Sequence, residues 1–146
     1  MGHLASSWSP TALHRKVGET HPRHWRMQPT LYTHVMADVL TFTDRGIYCP
    51  AGDFYIDPWK PVDRALITHG HSDHARYGMG RYLATTGAAP VMRHRLGDIT
   101  LETTEYGQET KIGDARVSFH PAGHVPGSAQ IRVEVKGEAW VVSGDY

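Results

Sequence analysis

The stretch THGHSDHA, residues 68–75, overlaps the end of the apolar run RALIT, residues 64–68. Within six consecutive positions, 69–74, the stretch has four side chains of types that bind metals: His69, His71, Asp73 and His74. A continuous apolar run predicts a strand buried on both faces, so these side chains should lie at the end of an interior strand. A surface histidine tract or a tag would be homopolymeric and would not follow such a strand. The stretch therefore predicts a metal site, and imidazole together with carboxylate suits zinc.

The spacing within the stretch predicts how its side chains reach the metal. Residues two apart in an extended chain point the same way, so His69 and His71 can bind one ion from one face. Gly70 between them lets the backbone pass close to the site. Ser72 is expected to cap a following helix, whose first turn presents the carboxylate and the third imidazole of the stretch to a second ion.

Further candidates lie in the last third of the chain. His124, in HPAGHVPGSAQ at residues 120–130, falls in a predicted loop between two strands and is interpreted as a ligand. His120 has helical spacing from His124, but a proline and a glycine intervene, so it is interpreted as a structural or supporting residue. Asp145, in VVSGDY at residues 141–146, follows an apolar strand and a glycine. This pattern alone leaves open whether Asp145 is a ligand.

Asp57, in FYIDP at residues 54–58, has two interpretations. Its carboxylate can orient a ligating histidine through the free ring nitrogen of that histidine. The alternative is a simple Asx turn before the proline.

The composition bounds the class of protein. The chain has 146 residues, enough for one domain with a modest core, and its 40% hydrophobic and 21% charged residues are ordinary for a globular protein. The formal net charge of zero does not indicate nucleic acid or a membrane surface. Cys49 is the single cysteine, which excludes an internal disulfide and a cysteine-based zinc site; it is expected to be a small buried residue. No apolar run approaches the roughly 20 residues of a membrane span, so a cytoplasmic location is predicted.

Residues 1–35 carry five of the eleven histidines without periodicity and are predicted to be a disordered extension. Three sharper interpretations exist. MGHLAS fits a myristoylation pattern, and the first 18 residues lack acids as a transit peptide does, although they are not convincingly amphipathic. The favoured interpretation is a translation start at Met36, which leaves residues 36–146 as the domain, with 11 basic and 14 acidic residues.

From Met36 onwards the chain predicts a strand-rich α/β domain with few helices. Residues 107–114 are predicted to be a turn, and the runs on either side of VKGE are typical of a hairpin. A helix is predicted at residues 87–97, with Pro90 in its first turn and Gly97 as its stop. The predicted strands cover residues 39–43, 46–50, 53–57, 64–68, 81–85, 99–106, 115–122, 129–135 and the segment from 138 onwards.

These motifs resemble a known family. THGHSDH is the H-x-H-x-D-H signature of the metallo-β-lactamase fold. The longer text at residues 48–78, with AGHVPGSAQI at 122–131 and SGDY at 143–146, resembles the β-CASP nuclease branch. Within that branch the chain is most similar to the bacterial DNA-ligase-associated exonuclease group, often described as similar to mRNA 3′-end processing factors. The resemblance covers about residues 38–146 and implies the first half of an αββα sandwich.

The resemblance also implies the roles of the site residues. Asp73 would orient or deprotonate a water molecule in addition to binding metal, and Asp57 would be a supporting residue. Two zinc ions are implied, with manganese as an alternative. The implied ligands are His69, His71 and His124 for the first ion, Asp73 and His74 for the second, and Asp145 bridging both.

The implied function is metal-dependent hydrolysis of nucleic-acid phosphodiesters. DNA is expected rather than RNA, with exonuclease action in DNA repair beside a DNA ligase and a helicase, and without a membrane partner. Two alternatives remain open: another hydrolase of this fold, acting on a thioester, lactam or small phosphoester, and a non-catalytic zinc-binding fragment. The family has a further histidine and a β-CASP cap beyond the acid that Asp145 matches. The chain is therefore expected to be an N-terminal portion that is marginally stable and weakly active or inactive.

The residues that would contact nucleic acid are left open. Four arginines near the motif are weighed as phosphate contacts against ordinary solvated side chains. Two aromatic residues are weighed as base-stacking platforms against packing. They are Arg76, Arg81, Arg93, Arg95, Trp59 and Tyr77.

Overall fold

The computed structural model describes residues 38–146. The predicted extension at residues 1–35 and its three sharper interpretations lie outside the described residues. The described part contains ten strands and one helix. In chain order they are β1 (Thr41–Thr43), β2 (Gly46–Cys49), β3 (Phe54–Ile56), β4 (Arg64–Leu66), β5 (Arg81–Thr85), α1 (Ala89–Leu96), β6 (Leu101–Thr104), β7 (Glu109–Ile112), β8 (Ala115–Pro121), β9 (Ala129–Val135) and β10 (Glu138–Val142).

The strands form two sheets. The six-stranded sheet has the order β1-β2-β3-β4-β5-β6; its first three strands pair antiparallel, and β3 to β6 pair parallel. The four-stranded sheet has the order β10-β9-β8-β7 and is antiparallel throughout. This arrangement confirms the prediction of a strand-rich α/β domain with few helices.

A hydrophobic core joins residues of the two sheets. Leu66 and Leu83 from the six-stranded sheet cluster with Phe119 and Ile131 from the four-stranded sheet, and each is at most 5% exposed. Burying a side chain of this size stabilises the fold by about 1.5–3 kcal/mol. Cys49 is fully buried in the same cluster, as predicted, and burial raises the pKa of its thiol.

Strand β4 is buried on both faces. Leu66 contributes to the core between the sheets, whereas Ala65 and Ile67 belong to a second cluster with Met92 and Leu96 of α1. Because successive residues of a strand face opposite ways, α1 covers the face of the six-stranded sheet that points away from the four-stranded sheet. The continuous apolar run predicted this two-sided burial.

Helix α1 begins and ends within two residues of its predicted bounds. Pro90 lies in the first turn, where the missing N–H costs nothing. Gly97 ends the helix with a φ of 73°, and its N–H donates to the Arg93 carbonyl at 2.9 Å. Among the described residues, no helix combines the length and apolar character needed to cross a bilayer.

The segment at residues 107–114, predicted to be a turn, contains strand β7, so this prediction was wrong. Ile112 is the one buried residue of the strand, which leaves too little alternation to reveal it in the sequence. Gly107 and Gly113 have φ values of 76° and 58° and place turns on either side of β7. Pairing with the well-packed strand β8 supplies the hydrogen bonds that hold β7 in the sheet.

Candidate metal centre

The candidate site forms at the carboxyl ends of the parallel strands β3 and β4. Asp57 directly follows β3, and Thr68 and His69 come two and three residues after β4. Side chains at this edge face the crevice in which open α/β sheets bind ligands. The Ala129 N–H at the start of β9 donates to the Thr68 carbonyl at 2.8 Å. This contact brings the loop before β9, which carries His124, to the ends of β3 and β4.

Four side chains bring one donor atom each to a common point. The Nε2 atom of His69 and the Nδ1 atom of His71 are 3.0 Å apart, and the Nε2 atom of His124 is 3.3 Å from His71 Nδ1. The Oδ2 atom of Asp145 is 3.6 Å from His124 Nε2 and 3.9 Å from His69 Nε2. All four donor atoms lie within 4.8 Å of one another. These four residues are the first donor group.

The first donor group fits a single divalent cation. A tetrahedral zinc ion with Zn–N bonds of about 2.0–2.1 Å needs ligand atoms about 3.3–3.4 Å apart. The separations given above run from 3.0 to 3.9 Å. Three ring nitrogens and a carboxylate oxygen converge here, and they carry too few N–H donors to pair all their lone pairs with one another. One cation at the common point would accept a lone pair from each of the four.

Asp73, His74 and Asp145 form a second donor group beside the first. The Nε2 atom of His74 is 3.4 Å from Asp145 Oδ1 and 3.7 Å from Asp73 Oδ2. Asp145 turns its Oδ2 atom to the first group and its Oδ1 atom to the second, so its carboxylate lies between the two. Catalytic metal sites commonly use three protein donors and leave a further position for water or substrate.

Asp57 is the centre of the hydrogen bonds behind the second donor group. Its Oδ1 atom accepts the Thr68 N–H at 2.8 Å, and its Oδ2 atom accepts the Thr68 hydroxyl at 2.6 Å and the His74 Nδ1–H at 2.7 Å. Because this proton lies on Nδ1, the Nε2 atom of His74 presents a lone pair to the second donor group. Asp57 holds a strained φ of 43°, which these three hydrogen bonds support. The geometry corresponds to the orienting interpretation of Asp57 rather than to an Asx turn.

Thr68 fixes a second imidazole in the same way. Its side chain, 1% exposed, gives its one hydroxyl hydrogen to Asp57, whose carboxylate only accepts. The Thr68 oxygen therefore accepts the Nδ1–H of His69, 3.1 Å away, and the His69 Nε2 atom keeps its lone pair for the first donor group. Sequence reasoning did not single out Thr68. Its local signal is a hydroxyl residue placed between a buried strand and a histidine cluster.

The protonation of the histidines follows from their surroundings. Burial, followed by the neighbouring imidazoles of His74 and His71, lowers the pKa of His69, so this ring is neutral at pH 7 and available as a ligand. The hydrogen bond to Asp57 raises the pKa of His74 above its ordinary value. The backbone N–H of Asp73 itself holds the pKa of that carboxyl below its usual range, so Asp73 is ionised at pH 7.

Two small residues allow the loops that carry His124 and Asp145 to approach the strand ends. Gly144 has a φ of 61°, and a Cβ atom there would lie 2.8 Å from the Thr68 side chain. Glycine at this position therefore lets Asp145 reach both donor groups. Ser128 is buried, and its hydroxyl accepts two backbone N–H groups of the His124 loop, that of His124 among them at 3.1 Å. Neither Gly144 nor Ser128 was singled out from the sequence.

The helix predicted after Ser72 is not formed in the described structure, so this prediction was wrong. Residues 72–74 form a turn, closed by a 2.8 Å hydrogen bond from the Ala75 N–H to the carbonyl four residues earlier. The carbonyl of Asp73 accepts the Arg76 Nε–H at 3.0 Å, so a side chain occupies an acceptor that a continuing helix would use for a backbone N–H. The single turn nonetheless presents both metal-binding side chains to the second donor group.

His120 lies apart from both donor groups. Its ring is exposed, and its Nε2 atom is 2.9 Å from the Ser118 hydroxyl. The structural or supporting role predicted for His120 stays a prediction.

Most side chains weighed as nucleic-acid contacts already have partners within the chain. Those that hydrogen-bond to other residues are Arg76, Arg81, Arg95, Trp59 and Tyr77. The side chain of Arg93 is exposed and has no hydrogen-bond or ion-pair partner in the part of the chain that the structure describes. Trp59 and Tyr77 nonetheless stay 45% and 65% exposed, so both interpretations of these side chains remain predictions.

No family model matches the chain. Among curated proteins, a probable DNA ligase of Opitutus terrae is 36% identical over 105 residues, which cover 69% of this chain and 10% of the relative. Ribonuclease TTHA0252 of Thermus thermophilus is 32% identical over 119 residues, covering 63% of this chain and 27% of the relative. The chain thus spans about a quarter or less of these relatives.

Among solved structures, a metallo-β-lactamase variant of Cronobacter sakazakii superposes with a TM-score of 0.51 at 16% identity. The match covers 70% of this chain and 53% of that chain. At this identity the likeness concerns the fold, and the chain spans about half of the matched structure.

Proposed function

Starting from a chain that carries the first half of the metallo-β-lactamase fold and resembles β-CASP nucleases, we propose that it is part of a metal-dependent hydrolase of nucleic-acid phosphodiesters. The observation that carries this proposal is the pair of donor groups that share the Asp145 carboxylate. A hydrolase of this fold needs a preorganised centre of this kind at the strand ends, and here six side chains from three separate segments supply it.

The donor chemistry supports two divalent ions. His69, His71 and His124 with Asp145 would hold the first, and Asp73 and His74 with Asp145 would hold the second. Imidazole and carboxylate ligands suit Zn²⁺, with Mn²⁺ as the alternative. When bound, the two ions would lower the pKa of a water molecule and neutralise charge on the phosphodiester.

The residues of the chain would prepare the site for this reaction. Thr68 and Asp57 hold two imidazoles with their lone pairs facing the donor groups. Asp73, whose carboxyl is ionised at pH 7 and well exposed, would orient the attacking water and accept its proton. Asp145, between the groups, fixes their separation.

The finer part of the proposal is a DNA exonuclease that acts in repair with a ligase and a helicase in the cytoplasm. The resemblance to the DNA-ligase-associated group supports DNA. One relative is named a probable DNA ligase, while another is named a ribonuclease, so RNA is the direct competitor. The proposed cytoplasmic location is supported by the single cysteine and by the lack of an apolar run of membrane-spanning length in the sequence.

The second candidate function is a hydrolase of this fold that acts on a β-lactam, thioester or small phosphoester. The structural match to a metallo-β-lactamase favours it, because metal-hydroxide chemistry near the site is common to both classes.

The test uses the full-length natural protein loaded with Zn²⁺ or Mn²⁺. DNA and RNA oligonucleotides labelled at either end, a β-lactam and a thioester are offered as substrates, and products are sized over time. We expect stepwise shortening of DNA that is lost in Asp145→Asn and kept in His120→Gln, the matched control away from the donor groups. Turnover of the small esters without cleavage of either nucleic acid would overturn the proposal, and cleavage of RNA alone would overturn its DNA part.

A further inference from the structure

We propose that Arg95, at the end of helix α1, positions the metal-binding loop at residues 69–75; this inference rests on the proposed metal centre. The Nη1 atom of Arg95 donates to the Gly70 carbonyl and, at 3.4 Å, to the Ala75 carbonyl. Three of the six proposed ligands lie between these two carbonyls in the chain. One guanidinium group therefore holds the loop at both of its ends.

Helix α1 lies directly against this loop. A Cβ atom added at Gly70 would be 2.4 Å from the Cγ1 atom of Val91, which precedes Arg95 by four residues and shares its face of the helix. Just past the loop, the Tyr77 hydroxyl donates to the Arg95 carbonyl. The helix thus contacts the loop at its start, at its end and immediately beyond it.

The loop has little regular structure of its own. Strand β4 ends at Leu66 and the next strand begins at Arg81. Within the loop, the backbone hydrogen bonds that the structure gives are those from the N–H groups of His74 and Ala75 to the His71 carbonyl, at 3.2 and 2.8 Å. Because metal ligands must be held within about 0.5 Å of their working positions, support from outside the loop is needed.

Arginine suits this position for physical reasons. Its planar group stays charged and carries five N–H donors in a fixed fork, so it can serve two carbonyls at once. The carbonyl end of a helix is also a favourable place for a cation. Lysine would bring the charge but only a compact ammonium on a flexible stem.

The test compares Arg95→Met, Arg95→Lys and Arg93→Met with the parent, all in the full-length natural protein. Arg93→Met is the matched control, since it removes an exposed arginine from the same helical turn. The dissociation constant for Zn²⁺ is measured by competition with a chromophoric chelator. Hydrogen exchange of the Ala75 amide is measured by NMR in metal-free protein. We expect Arg95→Met to weaken Zn²⁺ binding and to accelerate exchange at least tenfold, Arg95→Lys to fall between it and the parent, and Arg93→Met to match the parent.

Parental affinity and parental exchange in Arg95→Met would overturn the inference. If Arg95→Met fails to fold, Arg95→Lys decides by the same two measurements, and parental values would again overturn the inference. A parent that binds neither Zn²⁺ nor Mn²⁺ would remove the metal centre itself. The exchange measurement, made without metal, then still decides whether Arg95 holds the loop.

Discussion

At the residue scale, the candidate centre depends on where the imidazole protons lie. Thr68 and Asp57 form a network of hydrogen bonds that places the protons of His69 and His74 on their Nδ1 atoms, and the Thr68 oxygen also lies 3.3 Å from His74 Nδ1. The two Nε2 atoms then face the donor groups with free lone pairs. The support behind the ligands is thus as specific as the ligands themselves.

Replacing Thr68 by valine should weaken metal binding about 10–100-fold, the usual effect of losing a residue that orients a ligand. Valine keeps the shape of threonine but removes the hydroxyl, so Asp57 loses a donor and His69 is free to take either tautomer. The dissociation constant for Zn²⁺ measures the effect, and Thr68→Ser, which keeps the hydroxyl, is the control. Equal affinities in the valine and serine variants would show that the hydroxyl does not set the tautomer.

In metal-free protein, the interaction of His74 with Asp57 should make a pH-dependent contribution to the free energy of unfolding. The pKa of His74 is raised above 6.5, mainly by Asp57, so the folded state binds the proton more tightly than the unfolded state. This contribution is fully present below pH 6.5 and is lost as the pH rises through the folded pKa. Asp73 and Asp145 also raise the pKa of His74. The pKa of His69 is lowered instead, so protonation of His69 as the pH falls reduces the free energy of unfolding.

A comparison of the parent with Asp57→Asn isolates this contribution, because the other charged groups that face His74 are common to both proteins. Urea unfolding of the metal-free proteins at a series of pH values gives the difference in unfolding free energy. We expect this difference to be largest near about pH 5–6 and to narrow above the folded pKa of His74. A difference that stays constant with pH would contradict the assignment.

At the element scale, the site is assembled from the ends of strands and the loops between them. Strands β3 and β4 place Asp57 and Thr68 side by side because they pair in parallel and end at the same edge. The β8–β9 loop and the segment after β10 belong to the other sheet and deliver His124 and Asp145 to the same point. Helix α1 supports the metal-binding loop from the opposite face of the six-stranded sheet.

At Gly127 the β8–β9 loop passes close to the start of α1, and a substitution there tests whether this close contact is needed. It has a φ of 80°, and a Cβ atom there would lie 2.1 Å from the backbone nitrogen of Ala88. Gly127→Ala should therefore destabilise the protein by two effects, the left-handed backbone and a clash with backbone atoms. Gly137→Ala, at a φ of 87° with nothing within 4 Å, should show the first effect alone, about 1–2 kcal/mol.

We expect the loss of unfolding free energy in Gly127→Ala to exceed that in Gly137→Ala by about 2 kcal/mol, the usual scale of overpacking. Because the same loop carries His124, the affinity for Zn²⁺ should fall in Gly127→Ala and stay unchanged in Gly137→Ala. Urea unfolding and chelator competition measure the two quantities. Equal losses of unfolding free energy in the two variants would show that the β8–β9 loop can shift to relieve the clash without destabilising the protein.

At the scale of the whole molecule, the outer face of the four-stranded sheet carries paired charges together with an exposed apolar side chain at its edge, since Val141 lies opposite Arg132. Arg116 and Arg132 both pair with Glu134 on that outer face. Phe42 of the edge strand β1 is 81% exposed and Val141 of the edge strand β10 is 56% exposed. Apolar side chains on open sheet edges are typical sites for further strands or partner surfaces.

The isolated 146-residue chain should be marginally stable without metal and should gain stability when metal binds. Zn²⁺ at 100 times its dissociation constant should raise the free energy of unfolding by about 2.7 kcal/mol, since the ion binds the folded state. Thermal unfolding with Zn²⁺ and with a chelator measures the shift. A midpoint that does not respond to the chelator would argue against the donor groups as a metal site, and an ordinary cooperative transition without metal would contradict marginal stability.

From the sequence alone we could predict the strand-rich class, the two-sided burial of β4, the ends of α1 to within two residues and the cluster of metal-binding side chains after β4. These features depend on short-range patterns: an apolar run, a proline and a glycine at helix ends, and four donors within six positions. His124, Asp145 and Asp57 also appeared as candidates. The residues alone left open whether Asp145 is a ligand and which of its two interpretations applies to Asp57. Strand β7 and the turn after Ser72 were missed because partners elsewhere in the fold decide them.

Which candidate residues meet, and which contacts hold them in place, depends on the tertiary structure. Asp145 lies between the donor groups because Gly144 fits against Thr68, more than 70 positions earlier in the chain. Arg95 holds the metal-binding loop across 25 residues, and Thr68 bonds to Asp57 across 11. Such hydrogen bonds join residues whose spacing follows no helix or strand period, so they become visible only when the packed strands and helix bring the two partners together.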